Sequence, residues 1–132
     1  MKKNNNKILL VDNEPDIALA FKIGLEDNGF VVDAFNDPLL ALEAFKERKK
    51  SYDLALLDIK MPDMDGYELG KEIKKVDDKV KVCFVTAFDI QKEDEEDLKA
   101  VTTSLNQKPA IFRKPILIDE LVKRVKAELP DS

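Results

Sequence analysis

Four segments of the sequence end in residues that could together hold a charged, oxygen-rich group. Asp12 and Asn13 follow KILLV, Asp58 ends YDLALLD, Thr86 lies near the end of KVKVCFVTA, and Lys114 follows AIFR. Two carboxylates that lie close together repel, and one becomes protonated unless a cation lies between them. Carboxylate and amide oxygens suit a hard divalent ion, while lysine adds positive charge and threonine a hydroxyl donor. The set predicts a pocket for an anion with several oxygens held against a metal ion, and a phosphoryl group fits.

Each of these residues taken alone also has an ordinary structural explanation. Acids after a strand often cap the next helix, which explains Asp12 or Glu14 alone as well as a functional role does. Aspartate is common before a turn, as at Asp58, and threonine is favoured in strands. The occurrence of all four at strand ends, in this order, is what favours a functional site.

Strands and helices alternate along the chain in the pattern that would position these residues. Short apolar runs predict strands at 7–11, 30–35, 52–58, 79–87 and 110–113. Helical spacing predicts buried stripes of Ile17, Phe21 and Leu25; of Leu39, Leu42 and Phe45; of Leu69, Ile73 and Val76; and of Leu98, Val101 and Leu105. The fourth helix is expected from 89 to about 107, and a fifth in IDELVKRVKAEL.

This alternation predicts an α/β fold in which helices cover both faces of a parallel sheet. The carboxyl ends of such strands lie along one edge, where ligands bind. In the flavodoxin-like, doubly wound (βα)5 arrangement with strand order 2-1-3-4-5, the first and third strands are neighbours. Asp12 and Asp58 would then meet at that edge.

The composition describes one globular domain and argues against several kinds of function. The 132 residues carry a net charge of -5, which argues against binding of nucleic acid or anionic lipid by the whole surface. No apolar run approaches the roughly 20 residues that span a bilayer. A single cysteine, Cys83, favours a reducing compartment, and a cytoplasmic location is expected. Histidine is absent, which excludes a histidine base, metal ligand or phosphohistidine donor.

The stretches ILLVDNEPDI, DLALLDIKMPDMDG, VTA and RKPI resemble the receiver domain of two-component response regulators, of the chemotaxis-regulator type. LLDIKMPDMDG is the most specific of them. We expect a receiver domain at 7–129 between tails at 1–6 and 130–132, with no effector domain in this sequence. Whether it stands alone or is part of a larger regulator stays open.

The resemblance implies a role for each of the candidate residues. Asp58 would be the phosphoacceptor, attacking the phosphohistidine of a sensor histidine kinase or phosphotransfer protein. Asp12, Asn13, Asp58 and the backbone carbonyl of Lys60 would hold one Mg²⁺. Lys114 would pair with Asp58 before the reaction and with a phosphoryl oxygen afterwards. Thr86 would then move its hydroxyl to another phosphoryl oxygen and shift its loop.

The same resemblance carries expectations about activity and partners. The domain would assist its own phosphorylation and dephosphorylation without turning over a separate substrate, so it would not be an enzyme in the usual sense. A downstream effector would contact the fourth helix, fifth strand and fifth helix. Direct binding to nucleic acid or membrane is not expected, and a homodimer stays open.

Asn13 is the main departure from the family pattern, which usually has a second acid at this position. An amide oxygen can still coordinate Mg²⁺, but it has no formal charge. We therefore expect weaker Mg²⁺ dependence or slower phosphorylation than in an Asn13→Asp variant. Equal Mg²⁺ affinities of the two proteins would contradict this.

Two further departures concern the change of surface on phosphorylation. Ile111 lies where many receivers have an aromatic residue that turns inward with the threonine, and Phe112 should face the other side of its strand. Activation is therefore predicted not to use an aromatic rotamer switch. The stretch from Thr86 to Lys114 is longer than usual and lacks the customary Gly-Ala, which predicts an extended fourth helix or a longer loop.

Two other classes of protein stay open on sequence alone. A phosphorylation-independent interaction module would keep the fold without efficient chemistry; Asn13 and Ile111 favour it, while the intact aspartate, threonine and lysine count against it. A hydrolase of the phosphoaspartate type would need a second acid two residues after its nucleophile. Lys60 occupies that position, so this class is disfavoured.

Overall fold

A computed structural model describes residues 6–47, 52–87, 92–105 and 108–129. The five strands are β1 (Lys7–Val11), β2 (Val31–Phe35), β3 (Leu54–Asp58), β4 (Lys81–Thr86) and β5 (Ala110–Arg113). The five helices are α1 (Pro15–Glu26), α2 (Pro38–Glu47), α3 (Gly66–Val76), α4 (Lys92–Leu105) and α5 (Ile118–Glu128). All strand pairs are parallel, in the order β2-β1-β3-β4-β5. The predicted doubly wound (βα)5 fold is confirmed.

The sheet separates two hydrophobic cores, which explains the long apolar runs of its strands. Side chains on one face pack with α2, α3 and α4, and side chains on the other pack with α1 and α5. The three central strands are buried along nearly their whole length, so both faces of each strand are apolar. Burial on this scale supplies the main free energy that keeps the strand ends in fixed positions.

The predicted helical stripes are correct with one exception, which concerns Leu39. Its side chain is 48% exposed, while the buried residues of α2 are Pro38, Ala41, Leu42 and Phe45. These four have the spacing i, i+3, i+4, i+7, so the buried face begins one residue earlier than expected. The proline ring of Pro38 occupies the buried position of this stripe, and Leu39 lies outside it.

The predicted boundaries differ from the observed ones by one or two residues at several strands. The third strand was expected from residue 52 and begins at Leu54, and the fourth was expected over 79–87 and spans Lys81–Thr86. Asn6, assigned to the tail, accepts a hydrogen bond from the main-chain N–H of Val31 at 3.0 Å. The rest of the predicted tails, at 1–5 and 130–132, lies outside the described residues.

The predicted fourth helix is present as α4, which has 14 residues. Val101 and Leu105 are buried, and Leu98 packs against the same core. Glu95 and Glu96 are exposed, in agreement with a solvated acidic face on this helix. The predicted ends of this helix, at 89–91 and 106–107, fall outside the described residues.

Candidate functional site

The register of the sheet brings the two aspartates together. Val11 of β1 pairs with Leu57 of β3, so the residues that follow, Asp12 and Asp58, are neighbours at the carboxyl edge. The main-chain N–H of Asp12 donates to the carbonyl of Phe35 at 3.0 Å, which fixes the turn out of β1. Both side chains are almost fully buried, although they are carboxylates. Their closeness, expected from the strand order, is confirmed.

The same edge positions the threonine and the lysine. Asp58 pairs with Val85 of β4, and Thr86 pairs with Arg113 of β5. Thr86 therefore lies one residue further toward the edge than Asp58, and Lys114 lies one residue further again. The main-chain N–H of Lys114 donates to the carbonyl of Thr86 at 2.8 Å. This hydrogen bond holds the end of β4 against β5, and Thr86 is 1% exposed.

The Lys114 ammonium lies among three carboxylates. Its Nζ is 2.7 Å from Asp12 Oδ2, 3.3 Å from Glu14 Oε1 and 3.5 Å from Asp58 Oδ2. The expected pair with Asp58 is present, but Asp12 is the nearer partner. Burial would lower the pKa of Lys114, yet the ion pairs outweigh burial and raise the pKa. The lysine therefore stays charged and compensates the buried acids.

Asp58 titrates far above the usual range of a carboxylic acid. Burial raises its pKa to about 6, and the neighbouring charge of Asp12 contributes in the same direction. Lys114 and a backbone hydrogen bond from Lys60 act in the opposite direction and lower the pKa. Asp58 is therefore ionised at neutral pH, but it is a more basic carboxylate than one in water. A raised pKa of this kind is common at functional sites.

Gly66 allows the main chain to close behind Asp58. A Cβ at Gly66 would overlap the carbonyl oxygen of Asp58, and the Gly66 N–H donates to the Ile59 carbonyl at 2.8 Å. Asp65 caps α3 by accepting a hydrogen bond from the Glu68 N–H at 2.9 Å. The loop after β3 is thus fixed at both ends, which limits the movement of the Asp58 backbone.

Two residues expected to help hold a metal have less direct support. Asn13 is half-buried in the turn between β1 and α1, and Lys60 is exposed, two residues after Asp58. The contact that Lys60 makes with Asp58 is a backbone hydrogen bond to the carboxylate. Their roles as ligands stay predictions.

Glu14 was treated as a possible helix cap, and the structure gives it a different position. Its side chain makes no capping hydrogen bond to α1. Instead, one carboxylate oxygen from each of Asp12, Glu14 and Asp58 lies within 4.8 Å of the other two. The signal in the sequence was a further acid directly before Pro15, but capping explained that acid equally well. Three carboxylates with only oxygen donors fit a hard divalent cation.

The sequence also matches the family model of the response regulator receiver domain, over residues 8–126. The chain belongs to this family. The expected receiver domain of two-component response regulators is therefore confirmed, and an interaction module without phosphorylation is not favoured.

Known receivers match the chain in sequence and in fold. It is 34% identical over 129 residues to sporulation initiation phosphotransferase F of Bacillus subtilis, covering 96% of this chain and 95% of that protein. It is 35% identical to the transcriptional regulatory protein CpxR homolog of Haemophilus influenzae, with 96% of this chain and 52% of that protein covered. The chain thus spans about half the length of that regulator.

Solved structures agree with this assignment. A CheY-like receiver domain of Methanospirillum hungatei has a TM-score of 0.78 at 28% identity, over 94% of this chain and 93% of that chain. The chemotaxis protein CheY4 of Vibrio cholerae has a TM-score of 0.81 at 23% identity, over 96% of this chain and 100% of that chain, and shares the fold.

The receiver has its β5 side chains arranged as the sequence predicted. Ile111 packs against the core formed with α2, α3 and α4, whereas Phe112 belongs to the core formed with α1 and α5. The Arg124 guanidinium lies 4.3 Å from the centre of the Phe112 ring. The two side chains thus face opposite sides of the sheet.

Among the described residues of the receiver, no helix is both long enough and apolar enough to cross a bilayer.

Proposed function

We propose that this receiver accepts a phosphoryl group on Asp58 from the phosphohistidine of a sensor histidine kinase or a phosphotransfer protein. The observation that carries the proposal is the environment of Asp58: an almost buried carboxylate with a pKa of about 6, beside Asp12 and the Lys114 ammonium. A carboxylate oxygen forms the new bond to phosphorus while the bond from phosphorus to the imidazole nitrogen breaks. The leaving imidazole then takes up a proton. The product is an acyl phosphate on Asp58.

The residues around Asp58 support this transfer by charge and position. Lys114 pairs with the carboxylates beforehand and can follow the negative charge onto a phosphoryl oxygen, because its Nζ is already 3.5 Å from Asp58. Thr86 lies at the same edge and can donate its hydroxyl to another phosphoryl oxygen. Asp12, Asn13, Asp58 and the Lys60 carbonyl would hold Mg²⁺, which when bound screens the acids from the incoming phosphoryl group.

The output of the proposed reaction is a change of surface. A phosphoryl group adds negative charge beside Lys114 and Thr86, and movement of Thr86 would shift the end of β4. The effector surface would be formed by α4, β5 and α5, on which Ile111 and the exposed acids of α4 lie. The domain assists only its own phosphorylation and dephosphorylation, and exchange with a sensor kinase implies a cytoplasmic location.

A direct test uses acetyl phosphate as the donor. With Mg²⁺ present, intact mass spectrometry should detect one added phosphoryl group, and the group should be lost in Asp58→Asn. Asp63→Asn is the matched control, because Asp63 is exposed in the following loop and its positive φ of 71° suits asparagine. An unmodified wild-type protein, or an adduct that persists in Asp58→Asn, would contradict the proposal. Phosphate release that continues without any adduct on Asp58 would point to a hydrolase.

A further inference from the structure

Glu14 brings a third carboxylate to a site whose second adjacent acid is replaced by Asn13. We propose that Glu14 supplies to a divalent cation the negative charge that Asn13 lacks, and so acts as a metal-binding residue of this receiver. The inference rests on the proposed function, because it concerns the same site. It also revises the expectation that Asn13 leaves the site with weak metal binding.

The geometry places Glu14 with the two buried aspartates. One carboxylate oxygen from each of Asp12, Glu14 and Asp58 lies within 4.8 Å of the other two, so a single cation can contact all three residues. The Lys114 ammonium already lies among them, 3.3 Å from Glu14 Oε1 and 2.7 Å from Asp12 Oδ2. The place between these three acids is therefore one where positive charge is held.

The local backbone keeps Glu14 beside Asp12 and leaves its side chain adjustable. The Glu14 N–H donates to Asp12 Oδ1 at 2.9 Å, and Pro15 begins α1 directly afterwards. The Glu14 side chain is 56% exposed and makes no capping bond, so it can approach a cation without disturbing the core. Asp12 and Asp58, by contrast, are held by burial on the ends of their strands.

The charges at the site explain why Glu14 matters here. With asparagine at position 13, Asp12 and Asp58 provide two negative charges, against one positive charge on Lys114. Glu14 raises the number of negative charges to three, so that a divalent cation and the lysine together neutralise the site. The simpler alternative is that Glu14 only forms an ion pair with Lys114 at the rim, and this alternative predicts no effect on metal affinity.

The test is a double-mutant cycle on Mg²⁺ affinity, measured by isothermal titration calorimetry without any phosphodonor. The proteins are the wild type, Glu14→Gln, Asn13→Asp and the double variant. Glu14→Gln removes one negative charge a few ångströms from the divalent ion. Because water partly screens the attraction between the two charges, the variant should bind Mg²⁺ about tenfold more weakly than the wild type. With Asn13→Asp already present, the same change should weaken binding by only about two- to threefold, because position 13 then supplies the charge.

Glu26→Gln is the matched control. Glu26 is the last residue of α1, away from the site, and its carboxylate pairs with the Lys22 ammonium at a distance of 2.7 Å. This variant should bind Mg²⁺ as the wild type does, and urea unfolding should show that every variant is folded under the conditions of the titration. Unchanged affinity in Glu14→Gln would overturn the proposal, as would an equal loss with and without Asn13→Asp. A wild type that binds no Mg²⁺ would also overturn it. Formation of the Asp58 adduct is scored separately, so the proposed function can stand where this inference fails.

Discussion

The raised pKa of Asp58 means that its negative charge destabilises the folded protein at neutral pH. We therefore expect Asp58→Asn to increase the free energy of unfolding of the metal-free protein. The ordinary pKa of 3.8 is raised to about 6 in the folded protein, mainly by burial and then by the charge of Asp12. The folded state therefore holds a proton on Asp58 at pH values where the unfolded state has lost it. The stability that this proton provides is complete below about pH 3.8 and is lost as the pH rises through 6.

The size of the effect follows from the shift of the pKa. A shift of about two units corresponds to about 3 kcal/mol of unfolding free energy lost above pH 7. At pH 4.5 only about one third of that loss has occurred, so about 2 kcal/mol falls between pH 4.5 and 7.5. Asparagine also has to be desolvated, and water screens part of the repulsion. We therefore expect the stability difference between Asp58→Asn and wild type to grow by about 1–2 kcal/mol over this range.

The assay is urea unfolding in EDTA at pH 4.5, 6.0 and 7.5, followed by circular dichroism. The difference in free energy of unfolding between variant and wild type should increase with pH, with equal m-values in both proteins. Asp63→Asn is the control for replacing an exposed aspartate by asparagine. A pH-independent difference for Asp58→Asn, or one that shrinks as the pH rises, would refute the reasoning about Asp58.

Three other predictions concern Lys114, Cys83 and Phe112. Lys114→Met leaves Asp12 and Asp58 without their buried counter-charge, so urea unfolding should find the variant about 3 kcal/mol less stable than the wild type. Mg²⁺ should restore part of the lost stability, and unchanged stability of the variant would contradict this prediction. Burial raises the pKa of Cys83 to about 12, so a thiol reagent at pH 8 should label this cysteine only as fast as the protein unfolds. Rapid labelling of the native protein would be inconsistent with the burial of Cys83. Structures with and without a phosphoryl mimic should keep Phe112 in one rotamer beneath Arg124; a rotamer change coupled to Thr86 would show that an aromatic switch operates.

The fold and the closeness of the two aspartates could be predicted because they depend on features that are local in the sequence. Apolar runs of strand length and stripes of helical period specify the alternation of elements, and parallel strands end at a common edge. Once β1 and β3 are neighbours, Asp12 and Asp58 must lie next to each other. The same argument applies to Ile111 and Phe112, because consecutive residues of a strand face opposite sides.

The details that could not be predicted depend on packing between distant elements. Whether Glu14 caps α1 or turns toward Asp12 depends on how the chain enters the helix, which local sequence does not specify. The closer approach of Lys114 to Asp12 than to Asp58 depends on the exit of β5, which is distant in sequence from both acids. Leu39 shows the same limit in a helix, since the phase of α2 depends on which of its side chains pack inward, and Pro38 is one of them.

The three ion pairs of Lys114 have a consequence for the order in which the site can be completed. Every acid of the site lies in the first half of the chain, at positions 12, 14 and 58, whereas their cation is at position 114, directly after the last strand. During synthesis, the acids therefore emerge from the ribosome long before their partner does. A partly made chain that paired β1 with β3 would bring Asp12 and Asp58 together uncompensated, which costs free energy. The native arrangement of the acids is thus favoured only when β5 joins the sheet, or when a cation from solution takes the place of the lysine.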